Sequence, residues 1–296
     1  MSRAELRRKL SAYWELTKPN ISSMVLVSTS LGFYLGFRTT GMGWDGGQFL
    51  RLLLGAALTA GGVGSLNEYW ERHSDGLMRR TRTRPLPSGR LTAAEALRFG
   101  LAISLLGLVI LSLTVHPLTG LLAGITLLTY VGIYTPLKKR TAWNTLIGAV
   151  PGALPPLGGW VAASGSVAPG AWALFAILFA WQIPHFMAIA TIYRADYARA
   201  GMRMLPTVDP SGRRTALTIV TFCVLLLLGS LAPTYLGITG WLYLSGAGLL
   251  GSILLAFGFL AARRLGNHDA RRLLFASIIY LPALLALMVV DIELFP

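Results

Sequence analysis

The chain has 296 residues, of which 54% are hydrophobic and only 13% are charged. This composition excludes a soluble domain of this length, and the abundant glycine and proline are typical of packed membrane helices. Cys223 is the single cysteine, which excludes an intrachain disulfide and a cysteine metal site. The net charge of +14 is compatible with nucleic-acid binding, but the distribution of the basic residues described below argues against it, so we predict no nucleic-acid partner.

Residues 1–19 form a polar, weakly amphipathic arm, which we predict to lie on the cytoplasmic membrane surface, with an organellar targeting role as the alternative. Residues 20–291 are predicted to form one transmembrane domain, because its apolar segments are long enough to cross a hydrocarbon core of about 30 Å. The predicted fold is all-α: a polytopic bundle of about nine transmembrane helices around a central cavity that opens to the cytoplasmic side. The predicted spans are residues 20–38, 48–69, 94–115, 117–135, 143–163, 170–192, 215–235, 239–261 and 273–291.

Lysine and arginine residues are sorted to one side of this predicted bundle. With these spans, 24 of the 26 fall on one side, and only Arg38 and Arg51 fall on the other. This positive-inside pattern predicts a cytoplasmic N-terminus and, after nine crossings, a C-terminus outside. We therefore predict a multi-pass protein of a prokaryotic plasma membrane, with its function at the charged cytoplasmic face.

The stretch from Asn67 to Gly89 reads NEYWERHSDGLMRRTRTRPLPSG and lies at the cytoplasmic end of the second span. Asn67, Glu71 and Asp75 are four residues apart, so on a helix they point in the same direction. Oxygen ligands on one helical face, too few to satisfy a cation alone, suit Mg²⁺, which completes its shell with water and substrate phosphate oxygens. This spacing predicts a magnesium and diphosphate site.

Arginines follow these side chains closely, and guanidinium groups bind phosphate oxygens in a bidentate way. They are Arg79, Arg80, Arg82 and Arg84. Pro85 and Pro87 are then expected to end the helix. The alternative is a solvated positive-inside loop, but such a loop does not need carboxylates at strict helical spacing where the chain meets the membrane.

Two later stretches bring ionisable side chains to the same face. Tyr134 to Arg140 reads YTPLKKR, and its basic residues fit either ordinary positive-inside charge or contacts with a diphosphate. Trp181 to Pro206 contains His185 within a span, where a hydrogen-bonded packing histidine and a ligand are both compatible with the sequence. Arg194 and Asp196 follow at the end of that span. Asp196 would supply a second acidic site, so that two sites clamp one diphosphate between metal ions.

The motif from Asn67 to Gly89 resembles the first aspartate-rich motif of the UbiA superfamily of intramembrane prenyltransferases, N-x3-D-x3-D followed by an R-T pair and R-P-L-P-S-G. Glu71 stands where aspartate is usual. The later sequences WQIPHF, DY-x3-G from Asp196, MLP from Met204, YTPLKKR and PGALPPLGGW resemble one branch, the protohaem IX farnesyltransferases or haem O synthases. The resemblance covers about residues 13–290.

This resemblance implies an enzyme that ionises farnesyl diphosphate with Mg²⁺ and transfers the farnesyl group to a vinyl group of haem B, giving haem O. The implied metal ligands are Asn67, Glu71 and Asp75, assisted by Asp196. The residues implied to stabilise the departing diphosphate are Arg80, Arg84, Lys138 and Arg194. Further substrate-binding residues are expected to be Tyr134, Lys139, Arg140, Asn144 and His185, the last beside a haem propionate or the iron.

Two alternatives stand beside this prediction. The first is a UbiA relative that prenylates a quinone precursor or another tetrapyrrole, and the second, from a different class, is a membrane transporter. Against transport, the charges cluster at one face and no inverted repeat is apparent. The expected partners are farnesyl diphosphate, haem B and the lipid bilayer, with a downstream haem-modifying enzyme as a candidate.

Overall fold

A computed structural model describes residues 2–41 and 43–294. Within those residues all regular structure is helical, and nine helices are long and apolar enough to cross a membrane, which confirms the predicted all-α bundle. The helices are α1 (Arg3–Leu16), α2 (Pro19–Thr40), α3 (Gly46–Leu77), α4 (Ala93–Ile110), α5 (Pro117–Leu127), α6 (Thr135–Leu137), α7 (Asn144–Ser164), α8 (Pro169–Ile192), α9 (Arg194–Arg199), α10 (Leu205–Val208), α11 (Arg213–Tyr235), α12 (Trp241–Arg264) and α13 (Asn267–Leu294). Two π-helical segments, Leu111–Val115 and Leu128–Tyr134, continue α4 and α5.

Helix α1 is the polar arm. It begins with a capping box, in which the Glu5 amide donates to the Ser2 hydroxyl at 3.1 Å and the Ser2 amide donates to the Glu5 carboxylate at 2.6 Å. Its buried residues are Ala12 and Leu16, which belong to a small hydrophobic cluster with Leu91. The last turns of the arm therefore dock on the chain that leads into α4.

The bundle is held by helices that pack closely. Helices α2 and α7 touch through their backbones, because a Cβ at Gly159 would overlap the carbonyl oxygen of Thr29. Helix α7 contains Pro151, Pro155 and Pro156 and is still continuous. It is also the most buried of the nine spanning helices of the described chain, so neighbouring helices cover the backbone groups that the prolines leave unpaired.

Helix α3 carries the central motif beyond the membrane boundary. Its 32 residues span about 48 Å, well above the roughly 30 Å of a hydrocarbon core. The prediction that Pro85 and Pro87 end this helix is wrong, because α3 ends at Leu77. There Met78 adopts an extended conformation (φ −99°, ψ 131°), and the Thr81 hydroxyl donates to the Asp75 carbonyl at 2.9 Å. These two features turn the chain back over the end of α3.

Arg38 and Arg51, the two basic residues that the sequence sets apart from the others, lie at the opposite end of the bundle from Lys138. At one end, Arg38 lies 3.7 Å from the carboxylate of Glu293, and Arg51 donates to the carbonyl of Thr114 at 2.9 Å. At the other end, the Arg203 amide donates to the Lys138 carbonyl at 2.7 Å. The membrane side that each end faces stays a prediction.

Candidate active site

Four oxygen-bearing side chains occupy the last turns of α3 and are nearly excluded from solvent. Asn67, Glu68, Glu71 and Asp75 are each at most 7% exposed. Burial of three carboxyl groups at the end of a spanning helix is costly unless counter-charges or ligands compensate it. We call these four residues the carboxylate cluster.

Three cations from distant parts of the chain compensate the cluster. The Lys18 ammonium donates to the side-chain oxygen of Asn67 at 2.6 Å. The Lys138 ammonium lies 2.7 Å from the Glu71 carboxylate. The Arg84 guanidinium lies 2.8 Å from Asp75 and 3.7 Å from Glu68. The structure thus brings the predicted residues Asn67, Glu71, Asp75, Arg84 and Lys138 together.

The π-helical segment Leu128–Tyr134 directs the chain into the cluster. A π-helix adds a residue to each turn, and such segments often occur at functional sites. Directly after it, the Thr135 hydroxyl accepts a hydrogen bond from the Asn67 amide at 3.0 Å. The Lys138 ammonium lies 4.6 Å from the centroid of the Tyr134 ring, a cation–π contact. Tyr134 therefore lies at the site, as predicted.

Asn144 fastens the loop that carries Lys138. Its side-chain amide donates to the Thr141 carbonyl at 2.6 Å and to the Arg203 carbonyl at 3.0 Å. Because the Arg203 amide in turn donates to the carbonyl of Lys138, these bonds tie two cytoplasmic loops together. Asn144 is fully buried, so the structure gives it a role in positioning Lys138, and its contact with substrate stays a prediction.

The three cations differ in how firmly they hold their protons. Burial and the neighbouring Arg84 lower the pKa of Lys18 to about 8. Burial opposes the charge of Lys138 too, but the Glu71 carboxylate, together with Tyr134 and Tyr130, outweighs it and raises the pKa of Lys138 well above its usual value. Likewise, burial is outweighed by Asp75 and Glu68, which raise the pKa of Arg84. Lys138 and Arg84 thus hold their protons more firmly than usual, whereas the pKa of Lys18 is shifted towards neutral pH.

The cluster has free oxygens that fit a hard cation. Within the described residues, Oε2 of Glu68 and Oδ1 of Asp75 are buried and have no hydrogen-bond partner. An unsatisfied buried carboxylate oxygen is unfavourable, and Mg²⁺ prefers such oxygens as ligands. These oxygens therefore fit Mg²⁺ in chemical type, and water and phosphate oxygens would complete its shell, because within the described residues no three acidic side chains converge on one metal position.

Asp196 lies apart from the carboxylate cluster, in a pocket of about 440 Å³. In residues 2–41 and 43–294, Asp196 does not converge on one metal position with Glu71 and Asp75, so the predicted grouping of Asp196 with Asn67, Glu71 and Asp75 is not formed. The Asp196 carboxylate instead pairs with Arg199 within α9. The pocket is lined by Arg79, Arg80, Ile192, Tyr193, Ala195 and Asp196, and we call it the arginine pocket.

Arg80 joins the loop after α3 to the chain after α8. Its guanidinium lies 5.2 Å from the centroid of the Tyr193 ring and donates to the Tyr197 hydroxyl at 3.5 Å. The loop after α3 and the second predicted acidic site therefore meet, even though Asp196 does not touch the cluster.

The remaining predicted residues lie elsewhere. His185 packs inside the bundle, with Nδ1 2.8 Å from the Ser277 hydroxyl and its ring stacked on Trp181, which is the packing alternative for this histidine. Lys139 and Arg140 are exposed, and neither forms an ion pair in the described part of the chain. Arg194 lines a different cavity. Their substrate contacts stay predictions.

Two residues of the site were not predicted. Glu68 has a signal in the sequence, because it precedes Glu71 by three residues and Asp75 by seven and so shares their helical face. Lys18 has none, because it is 49 positions from Asn67 and reaches it only when the start of α2 packs beside α3.

The chain is similar in sequence to known prenyltransferases. The chain matches the UbiA prenyltransferase family over residues 25–281. A curated protoheme IX farnesyltransferase of Solibacter usitatus (strain Ellin6076) is 46% identical over 286 residues, which cover 94% of this chain and 98% of that protein.

Solved structures of low sequence identity share the fold. One, of a digeranylgeranylglyceryl phosphate synthase, has a TM-score of 0.81 at 20% identity and covers 96% of this chain and 99% of its own. Another, of a UbiA homolog from Archaeoglobus fulgidus bound to DMAPP and Mg²⁺, has a TM-score of 0.61 at 16% identity, with 94% and 99% covered. Because the family match extends over most of the bundle that builds the carboxylate cluster, this chain belongs to the UbiA prenyltransferase family and is an intramembrane prenyltransferase.

Proposed function

We propose that this enzyme transfers the farnesyl group of farnesyl diphosphate to a vinyl group of haem B, giving haem O. The observation that carries the proposal is the 46% identity, along nearly the whole of both chains, to a protein called protoheme IX farnesyltransferase. The buried charges at the end of α3 support the donor half of the reaction.

The donor half requires a site for a diphosphate. Lys18, Arg84 and Lys138 place three cations around the cluster. Phosphate oxygens compete for these cations with the carboxylates that now hold them. Cations fixed in place before the reaction stabilise the negative charge that develops on the leaving diphosphate, with little reorganisation.

We propose that Glu68 and Asp75, through their free oxygens, hold Mg²⁺ together with Asn67 and Glu71. When bound, Mg²⁺ supplies positive charge that offsets the charge of the departing diphosphate. The UbiA homolog of A. fulgidus that shares this fold binds DMAPP and Mg²⁺, which supports a metal requirement here.

The proposed reaction breaks the bond between C1 of the farnesyl group and the diphosphate oxygen, and the electron pair leaves with diphosphate. The π electrons of the haem vinyl group form the new carbon–carbon bond to C1. Water then adds to the resulting carbocation and loses a proton, which gives the hydroxyl group of the product. Lys138 and Arg84 hold the leaving group, and burial of the cluster limits hydrolysis of the farnesyl donor.

We also propose that the end of the bundle with the cluster faces the cytoplasm of a prokaryotic cell, with the enzyme in the plasma membrane. The support is the sorting of basic residues to that end. Haem O released there would be available to a downstream haem-modifying enzyme.

The test is an assay of the purified protein with haem B, farnesyl diphosphate and Mg²⁺. We expect a more hydrophobic haem whose mass has increased by one farnesyl group and one hydroxyl group, and no product when a chelator removes Mg²⁺. Prenylation of 4-hydroxybenzoate, with haem B left unchanged, would overturn the assignment in favour of a quinone-precursor enzyme.

A further inference from the structure

A cavity of about 760 Å³ lies beside the arginine pocket, and the donor half of the reaction does not use it. Its walls come from the chain after α8, the turn before α11 and the connection between α12 and α13. We call it the loop cavity. It contains none of the residues of the carboxylate cluster.

Backbone geometry holds the walls of the loop cavity in place. Leu265 has a positive φ of 47°, which is unfavourable for a leucine. Its side chain lies so close to Gly212, itself at φ 70°, that a Cβ there would overlap it. The Asp209 carboxylate accepts hydrogen bonds from the Thr215 amide at 2.8 Å and the Ser211 hydroxyl at 3.0 Å. These contacts preform the cavity.

The residues that line the loop cavity suit a ligand that is apolar with a negatively charged group. Ile192, Ala198, Pro206 and Leu265 supply apolar surface. The Asp209 carboxylate already accepts hydrogen bonds from Thr215 and Ser211. Arg194 is exposed and has no ion pair or side-chain hydrogen bond to any residue that the structure describes.

The cavity rim adds further positive charge. Arg213 and Arg214 directly follow Gly212 and are exposed, and neither has an ion-pair partner within residues 2–41 and 43–294. An apolar body with carboxylates at its edge would therefore match both the wall and the rim.

The loop cavity and the arginine pocket share a wall. Ile192 and Ala195 line both of them. A ligand in the loop cavity would thus lie next to the arginine pocket, where the loop after α3 meets the chain after α8.

We infer that the loop cavity binds the tetrapyrrole acceptor, with the Arg194 guanidinium paired to one of its propionate carboxylates. This inference rests on the proposed function and reassigns Arg194, which the sequence associates with the diphosphate. Acceptor and donor then occupy separate, neighbouring sites at the same end of the bundle.

The experiment measures binding rather than turnover. Haem B and its dimethyl ester, which lacks free carboxylates, are titrated into the purified full-length protein and followed by absorbance. Losing one charge-assisted bond should make Arg194→Gln bind haem B about tenfold more weakly, with its affinity for the dimethyl ester unchanged. Ala198→Phe, which fills the cavity from an exposed position, should weaken binding of both haems.

Farnesyl diphosphate binding is measured on the same variants and should be unchanged. The control is Arg98→Gln, which removes an exposed arginine on α4 at the same end of the bundle and should bind both haems as the wild type does. Two results would overturn the inference and leave the proposed function standing. One is wild-type haem B affinity in both Arg194→Gln and Ala198→Phe. The other is an Arg194→Gln variant in which only farnesyl diphosphate binding is weakened. A wild-type protein that binds no haem B would overturn both.

Discussion

Lys18 is the cation of the site whose charge depends most on pH. It lies at the start of α2 in a left-handed conformation (φ 51°) that turns its ammonium towards Asn67. Lys138 and Arg84 have carboxylate partners that hold their protons. Lys18 donates to the neutral Asn67 amide, and burial and Arg84 outweigh the effect of the Glu68 and Glu71 carboxylates on its pKa. Single-residue changes should therefore separate its contribution from those of the other two.

We predict that the affinity for farnesyl diphosphate falls as the pH rises through about 8, the value to which burial and Arg84 lower the pKa of Lys18. The sign follows from linkage: the anion binds the protonated lysine better, so affinity is lost when Lys18 loses its proton. The ligand is not the cause, because its last phosphate ionisation lies near 6. Binding titrations at about pH 7 and about pH 9 test this.

Two variants make that measurement decisive. Lys18→Arg should keep its affinity at the higher pH, because a guanidinium does not deprotonate in this range. Lys18→Met should bind weakly at both pH values. An equal pH dependence in the wild type and Lys18→Met would show that another group is responsible.

At the level of helices, the contact between α2 and α7 sets the geometry of the bundle next to the site. Gly159 lies against the backbone of Thr29, whereas a Cβ at the adjacent Gly158 would meet no atom within 4 Å. Substitution by alanine is therefore expected to affect stability differently at these two neighbouring glycines of α7.

We predict that Gly159→Ala lowers the thermal unfolding temperature, because the backbone of α2 would have to move away. A strained core of this kind typically costs about 1–3 kcal/mol. Gly158→Ala is the matched control and should be neutral or slightly stabilising, because alanine favours a helix by up to about 1 kcal/mol over glycine. Equal unfolding temperatures for both variants in detergent would contradict this account of the contact.

The whole bundle was largely predictable, and the reasons are local. Hydrophobic length marks each spanning helix, and the four-residue spacing of Asn67, Glu71 and Asp75 marks one face of α3. The end of α3 was not predictable, because the Thr81 hydroxyl rather than a proline turns the chain. Nor was the position of Lys18, which depends on tertiary packing of residues far apart in the sequence.

The sequence predicted the types of residue at the site better than it predicted which of them lie together. Asp196 has the expected charge at the expected end, but Arg199 pairs with its carboxylate and it stays outside the cluster. Sequence spacing shows which side chains share a helical face. Sequence spacing does not show which oppositely charged residue each of these side chains will pair with.

The orientation of the whole molecule gives a further prediction. If the basic end of the bundle faces the cytoplasm, a reporter fused after Lys139 should be cytoplasmic. One fused after Pro296, which lies outside the described residues, should be on the opposite side of the membrane. Two reporters on the same side would contradict the arrangement of nine crossings.

The central claim is that the carboxylate cluster performs prenyl transfer, and Glu71 tests it most directly. Glu71→Ala should lower the rate of haem O formation about a hundredfold, or roughly 3 kcal/mol of transition-state stabilisation. Glu71→Asp should restore much of the activity, because it keeps a carboxylate on the same face of α3. The variant Glu71→Ala also leaves Lys138 without its partner, so only variants with a wild-type unfolding temperature are compared.

The matched control is Glu15→Ala, which breaks an exposed ion pair with Arg90 at the same end of the bundle. Such pairs contribute at most about 1 kcal/mol, so this variant should keep nearly full activity. The measurement is the rate of haem O formation across a Mg²⁺ titration. The account predicts a large loss in Glu71→Ala alone, and wild-type rates in that variant at every Mg²⁺ concentration would contradict it.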